Sequence, residues 1–151
     1  MADIPILQEA VQQTQAKLLI IDPVQAYLPD KMDMNKMEQI TALMKTLQRF
    51  AMENQLSILL VRHLAKGTKE RSVYKGMGSM AFYTSARSVL VCAERTELAE
   101  QRDGLFIRRF AVAHPKNNVG QKGPAIEFEL QKDSFVWRGT ADLTADDLLT
   151  S

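Results

Sequence analysis

The stretch that decides the fold is Lys17-Leu18-Leu19-Ile20-Ile21-Asp22-Pro23, in which four apolar residues run directly into an acid. Such a run predicts a strand buried on both faces, as parallel strands are. Because Pro23 lacks the N–H that a sheet ladder needs, we expect the strand to stop at Asp22. The carboxylate should then emerge at the carboxyl edge of the sheet, where open α/β sheets bind ligands. There it would either hold Mg²⁺ beside a nucleotide phosphate or cap the following turn.

A second stretch, Leu56-Ser57-Ile58-Leu59-Leu60-Val61, repeats this pattern and ends in Arg62-His63. Residues 36–54, between the two stretches, carry apolar residues at spacings of three and four, which predicts a helix. Strand, helix and strand form a βαβ unit, whose right-handed crossover makes the strands parallel. His63 should therefore lie on the same edge as Asp22. Histidine can contact a phosphate there, can be a structural residue, or can form an acid–base pair with Asp22 in an unrelated α/β enzyme.

The rest of the sequence predicts both helices and strands. Short helices are predicted at residues 4–16 and 79–87, and a last helix begins at Thr140 or Thr144. A third apolar strand, presumed parallel, is predicted at 88–93 with Cys92 as a buried thiol, and β segments follow at 105–114, 125–131 and 134–138. The expected fold class is α/β, with a mainly parallel sheet flanked by helices and a C-terminal antiparallel β segment. The length predicts a single domain over residues 1–151.

Composition limits the function classes. The formal net charge is +1, so no global field attracts nucleic acid or a membrane surface. The sequence contains no apolar run long enough to span a bilayer, and we expect no membrane partner. Its single cysteine excludes an internal disulfide, which fits a reducing cytoplasm.

Clustered cations suggest contacts with phosphates. Residues 66–79 interleave basic side chains with glycines and one tyrosine, which predicts either a solvated loop or a loop that tracks single-stranded DNA. The candidate DNA-binding residues are Lys66, Lys69, Arg71, Tyr74 and Lys75. Arg87 is either a surface charge or a finger for a neighbouring subunit. Lys116, expected in a polar loop, either reaches a phosphate or belongs to ordinary turn chemistry.

Several catalytic motifs are missing from the sequence. It contains no Gly-x-x-x-x-Gly-Lys-Ser/Thr phosphate loop and no Gly-x-Gly-x-x-Gly. It also lacks a Cys/His cluster for zinc and a Gly-x-Ser-x-Gly elbow.

The ordered motifs together resemble the second half of a RecA-like ATPase, and most closely the AAA_25 or RepA-like group related to hexameric replicative helicases. The resemblance runs from about residue 5 to 138. The segments that carry it are Lys17–Pro23, the helix at 36–54, Leu59–Lys66, Lys75–Phe82, Ala86–Leu90 and Pro115–Asn118.

The resemblance implies a role for each candidate. Asp22 corresponds to the Walker B acid that binds the magnesium of MgATP, and His63 to the histidine that senses the γ-phosphate. Residues 66–79 correspond to the DNA-binding loop that faces the channel of a ring. Arg87 corresponds to an arginine finger and Lys116 to a trans-acting lysine. Asn118 stands where the wider group has an arginine, so Arg87 is the stronger finger candidate.

The same resemblance implies that the front of the ATPase core is absent, since the family's phosphate loop and catalytic glutamate precede the Walker B strand. The expected function is therefore that of a partial RecA-like core, from an ATPase for DNA replication, unwinding or mobilisation in a phage or mobile element. The alternative is a non-catalytic module that binds DNA or a helicase. Mg²⁺ and ATP are expected cofactors of the parent hexamer and not of this chain alone. The missing strand should leave an exposed apolar edge or gap, which drives dimerisation or strand exchange.

We predict that the purified 151-residue chain does not hydrolyse ATP measurably, because phosphoryl transfer depends on positioning that the phosphate loop provides. Phosphate release measured with excess MgATP tests this prediction. Robust metal-dependent turnover that Asp22→Ala abolishes would contradict it.

Overall fold

The computed structural model describes residues 4–29, 32–34, 36–63, 80–102, 104–132 and 134–150. Four helices lie in these ranges: α1 (Ile4–Thr14), α2 (Met37–Asn54), α3 (Met80–Ser85) and α4 (Ala145–Thr150). The strands are β1 (Leu18–Ile21), β2 (Ser57–Leu60), β3 (Ser88–Glu94), β4 (Glu100–Arg102), β5 (Leu105–Asn117), β6 (Ala125–Gln131) and β7 (Ser134–Ala141). Short 3₁₀ helices cover Val24–Tyr27 and Thr96–Leu98. These described residues form two compact units, 4–63 with 80–85, and 86–150.

The first unit is built on the parallel pair β1 and β2, as the βαβ pattern predicts. Leu18 pairs with Ser57, and Ile21 pairs with Leu60. Backbone bonds extend the ladder beyond both strand ends, from Ser57 N–H to Lys17 O at 2.9 Å and from Val61 N–H to Ile21 O at 2.9 Å. The ladder therefore fixes the register up to the residues that carry the candidate side chains.

Helix α2 buries the stripe that its spacing predicts, with Ile40, Leu43 and Leu47 at the centre. This stripe packs against Ile21 of β1 and Phe82 of α3. Burying a side chain of this size contributes about 1.5–3 kcal/mol, so the burial of this stripe stabilises the unit. Helix α1 adds a smaller cluster, in which its Val11 joins Phe50 and Leu56.

The prediction that β1 and β2 are buried on both faces is wrong. Leu18, Ile20 and Leu59 are between 46% and 55% exposed. Their neighbours Leu19 and Ile58 point inward and pack against the helix cluster. In the part of the chain that the structure describes, helices cover one face of the pair, and the continuous apolar run does not reveal this asymmetry.

The second unit is a five-stranded antiparallel sheet with the order β3-β5-β6-β7, and β4 pairs with β5. The prediction that residues 88–93 form a parallel strand is wrong, because β3 runs antiparallel to β5 and places Cys92 opposite Val112. The chain returns from β3 through the β4–β5 hairpin, whereas a parallel crossover needs a dozen or more residues. The mixed α/β class is confirmed. The expected mainly parallel sheet is not confirmed, since parallel pairing in the described ranges is confined to β1 and β2.

Helix α4 packs against β3 and β5 and buries its Ala145 and Leu148. Its start is a reciprocal cap. The Asp147 N–H donates to Thr144 Oγ1 at 3.2 Å, and the Thr144 N–H donates to Asp147 Oδ2 at 2.7 Å. Such a box satisfies orphan donors at the first turn. Of the two caps that the sequence offers, Thr144 is therefore the one used.

Glu129 of β6 is fully buried and is held by two arginines, Arg109 and Arg138. The hydrogen bond from Arg138, at 2.5 Å, is the main reason that the pKa of Glu129 falls to about 2, and the bond from Arg109 adds to it. The carboxylate thus stays ionised throughout the neutral range. The network links Arg109 on β5 and Arg138 on β7 to Glu129 on β6.

The opposite face of this sheet carries stacked rings. The centroids of Phe110 and Phe128 are 5.3 Å apart, and those of Phe128 and Phe135 are 4.8 Å apart. Trp137 meets Phe135 edge-on at 4.7 Å.

The expectation that Cys92 is buried is wrong, because the thiol is exposed. Partial burial by its neighbours nevertheless raises the pKa of Cys92.

None of the described helices combines the length and the apolar character that crossing a membrane requires.

We predict that Glu129→Gln lowers the free energy of unfolding by about 1–3 kcal/mol at pH 7, because two partly buried arginines lose their counter-charge. The folded-state pKa is depressed, so this contribution is present above the unfolded pKa near 4.5 and is lost as the pH falls toward about 2. The difference in the free energy of unfolding between wild type and variant, measured with urea, should therefore become smaller between pH 5 and pH 3. Asp142→Asn, an exposed change of the same charge, is the control and should show a small, constant difference. A gap that does not vary with pH would contradict this assignment.

Candidate functional site

Asp22 and His63 follow β1 and β2 at the carboxyl ends of the two strands. Asp22 Oδ1 lies 4.0 Å from His63 Nε2, and the side chains are 58% and 75% exposed. The expected juxtaposition at one sheet edge is therefore observed. The separation is within ion-pair range but longer than a hydrogen bond, so both groups keep their polar atoms available to a third partner.

The backbone around this pair is tied across the two strands. The Val24 N–H donates to Val61 O at 2.9 Å, and Val24 itself is fully buried. The Gln25 side chain donates from Nε2 to His63 O at 3.3 Å. The turn after Asp22 thus holds the segment that carries His63. Gln25 is not a candidate from the sequence, since a glutamine two residues after a proline carries no recognisable signal.

Arg62 lies beside His63 but is directed into the first unit. Its Cζ is 4.2 Å from the centroid of the Phe82 ring, which is a cation–π contact with α3. Its Nε and Nη1 are buried and have no hydrogen-bond partner within the described ranges. Burial lowers the pKa of this guanidinium. The sequence predicts Arg62 at the edge and gives it no role, whereas in the structure its side chain links the edge to α3.

The donor set suits magnesium only in part. No cluster of three or more His, Cys, Asp or Glu side chains that would hold a metal occurs in the described residues. Mg²⁺, however, binds through one or two carboxylates, several waters and the phosphates of a substrate. The exposed Asp22 carboxylate fits that arrangement as a single protein ligand. It does not fit a closed structural metal site.

Arg87 and Lys116 belong to the second unit and come together there. The Asn118 N–H donates to Arg87 O at 2.9 Å, and Lys116 pairs with Val89 across β3 and β5. Lys116 is thus a strand residue, and the expectation that it lies in a loop is wrong. Arg87 is exposed, and Lys116 is half-buried. The two cations, which are distant in sequence, therefore share one end of a sheet.

The candidate DNA-binding residues fall outside the described ranges. They are Lys66, Lys69, Arg71, Tyr74 and Lys75. Their role remains a prediction.

Comparison with protein families gives one result that bears on this edge. Residues 1–69, just under half of the chain, match the AAA_25 family, described as an AAA domain. Asp22, His63 and the whole of β1, α2 and β2 fall inside the match. The match supports an AAA, RepA-like region of the P-loop ATPase class in this part of the chain. No curated protein matches the sequence.

We predict that Arg62→Met leaves the free energy of unfolding unchanged or raises it by up to about 1 kcal/mol. The cation–π contact contributes about 0.5–2 kcal/mol, but two buried donors without partners cost a comparable amount. Urea unfolding measures the difference. Arg49→Met, at an exposed position of α2, is the control and should change stability by less than about 0.5 kcal/mol. A loss above about 2 kcal/mol for Arg62→Met would show that its donors are satisfied in solution.

Proposed function

We propose that the Asp22–His63 edge is the magnesium and γ-phosphate site of an ATPase-type domain. The observation that supports this most strongly is the 4.0 Å approach of an exposed carboxylate and an exposed imidazole at the ends of two parallel strands. Open α/β sheets bind their ligands at such an edge. The AAA match over the same residues favours this proposal over an unrelated acid–base enzyme.

The two side chains have different tasks in this proposal. Asp22 holds the hydrated Mg²⁺ of MgATP, and that ion supplies neutralisation of the phosphate charge when bound. His63 donates from a ring nitrogen to a γ-phosphate oxygen. Because 4.0 Å exceeds a hydrogen bond, the imidazole need not release Asp22 before it binds phosphate. After phosphate loss, a small rotation brings the ring to Asp22 instead.

The change is passed along the main chain. His63 O accepts from the Gln25 side chain, so a shift of the His63 main chain that accompanies ring movement would be transmitted to the turn after Asp22. Residues 64–79 follow His63 directly and contain the predicted DNA-binding cations. In this proposal the state of the nucleotide therefore sets the position of a segment that binds single-stranded DNA, with Arg87 and Lys116 completing the site of an adjacent subunit in a ring. The cellular task would be replication, unwinding or mobilisation of DNA.

We predict that Mn²⁺, used as a paramagnetic substitute for Mg²⁺, broadens the NMR resonances of the His63 ring at least about threefold more than those of His114, the other histidine. Added Mg²⁺ should reverse the broadening. Asp22→Asn should abolish the selectivity because the carboxylate beside His63 is lost. Glu53→Gln, an exposed acid in α2, should behave as wild type.

A comparison of ATP with ADP, each added to the Mg²⁺-loaded protein, distinguishes a phosphate sensor from a site that binds only the metal. The His63 ring signal should shift with ATP and shift less with ADP at equal concentration. The sequence alone predicts no cofactor for this chain, but the exposed Asp22 carboxylate beside His63 leads us to expect weak binding. It should need about millimolar nucleotide, because the sequence has no phosphate loop. Equal broadening of both histidines, or unchanged selectivity in Asp22→Asn, would contradict the proposed metal site. Equal shifts with ATP and ADP would contradict the sensor alone.

A further inference from the structure

One face of the second unit's sheet is unusually rich in exposed rings. We define the aromatic face as Phe106, Phe110, Ile126, Phe128, Phe135 and Trp137. The register sets Phe110 opposite Phe128, and Phe128 opposite Trp137, so these side chains share one side of β5, β6 and β7. Ring contacts between 4.7 and 5.8 Å join Phe110, Phe128, Phe135 and Trp137 into a continuous surface, and Phe106 lies on the same side of β5. Helix α4 packs on β3 and β5, where the inward residues Ala111 and Ala113 are buried.

The exposed area is large for a surface that only contacts water. Phe106 is 59% exposed, Phe135 49%, Trp137 62% and Ile126 42%. With about 150–250 Å² for an aromatic side chain, the aromatic face presents on the order of 500 Å² of apolar surface. Two such faces together would bury about 1,000 Å², the lower end of specific protein–protein interfaces. The area therefore suits a modest, reversible contact with one equal partner.

The charges among these rings indicate the partner's chemistry. Arg108 lies over Phe110, with its Cζ 5.0 Å from the ring centroid. It is already bound to Glu94 through two bonds, Nε to Oε1 at 2.8 Å and Nη2 to Oε2 at 2.5 Å. A cation neutralised in this way offers little attraction to the phosphates of a nucleic acid. The same internal neutrality allows the face to approach its own copy without like-charge repulsion.

We infer that the aromatic face binds the aromatic face of a second copy of this chain across a twofold axis. Two antiparallel sheets would pack face to face about 10 Å apart, with the exposed rings of Trp137 and Phe135 inside the contact. Arg108 and Glu94 lie beside the rings, where each pair can exchange partners with the same pair of the other copy. This contact differs from pairing through an open strand edge, and it does not rest on the proposed nucleotide site.

The chain carries its own reporter for the test, because Trp137 is its single tryptophan. Tryptophan fluorescence with acrylamide quenching should be recorded from about 1 µM to about 200 µM protein, alongside mass by light scattering. We expect the mass to double over this range. The quenching constant of Trp137 should fall at least twofold in parallel.

Two substitutions test whether the aromatic face, and not another surface of the second unit, forms the contact. Phe135→Glu should keep the mass monomeric and leave Trp137 as quenchable at 200 µM as at 1 µM. Val119→Glu, on the β5–β6 loop at 78% exposure, places the same charge on an exposed apolar residue and should dimerise as wild type. Far-UV circular dichroism checks that Phe135→Glu is folded. If it is not, Phe106→Glu replaces it.

Three results would overturn the inference. The first is a wild-type monomer at 200 µM. The second is a dimer in which Trp137 remains as quenchable as in the monomer, which would indicate pairing through a strand edge. The third is protection of Trp137 in the 1 µM monomer by a single-stranded oligothymidine, which would make the aromatic face a base-stacking platform.

Discussion

The parallel ladder between β1 and β2 is the interaction on which the candidate site depends. Its bonds continue past the strand ends through Val61 to Ile21 and Val24 to Val61, so the backbone is fixed up to Asp22 and His63. Both side chains stand on residues just outside the regular strands, where the ladder ends and polar groups reach solvent. The 4.0 Å between them follows from this register.

Local pattern predicted the first unit well. The spacing in α2 identified its buried stripe, and the two apolar runs that end in polar residues placed Asp22 and His63 together. Such features depend on residues close in sequence or on the standard crossover of a βαβ unit. Thr144 is one of the two caps that the sequence offered for α4, and it belongs to the same kind of local feature, since a capping box spans only four residues.

What the sequence did not predict depends on distant partners. The apolar run of residues 88–93 is equally compatible with parallel and antiparallel pairing, and only β5 as a neighbour decides between them. Exposure of Leu18, Ile20 and Cys92 depends on which faces helices cover, which hydropathy alone does not encode. Glu129 gave no sequence signal either, because Arg109 lies 20 residues away in the chain. The cation–π contact of Arg62 with Phe82 is missed for the same reason.

Within the described residues, β1 and β2 form a sheet of two strands. A two-stranded sheet is marginal by itself in water, so its order comes from the packing of Leu19, Ile21 and Ile58 against the helices. The Asp22–His63 edge therefore has no rigidity independent of α2. Any local opening that separates β1 from α2 removes the geometry of the site at the same moment, so the free energy of that opening sets an upper limit on how well ordered the site can be.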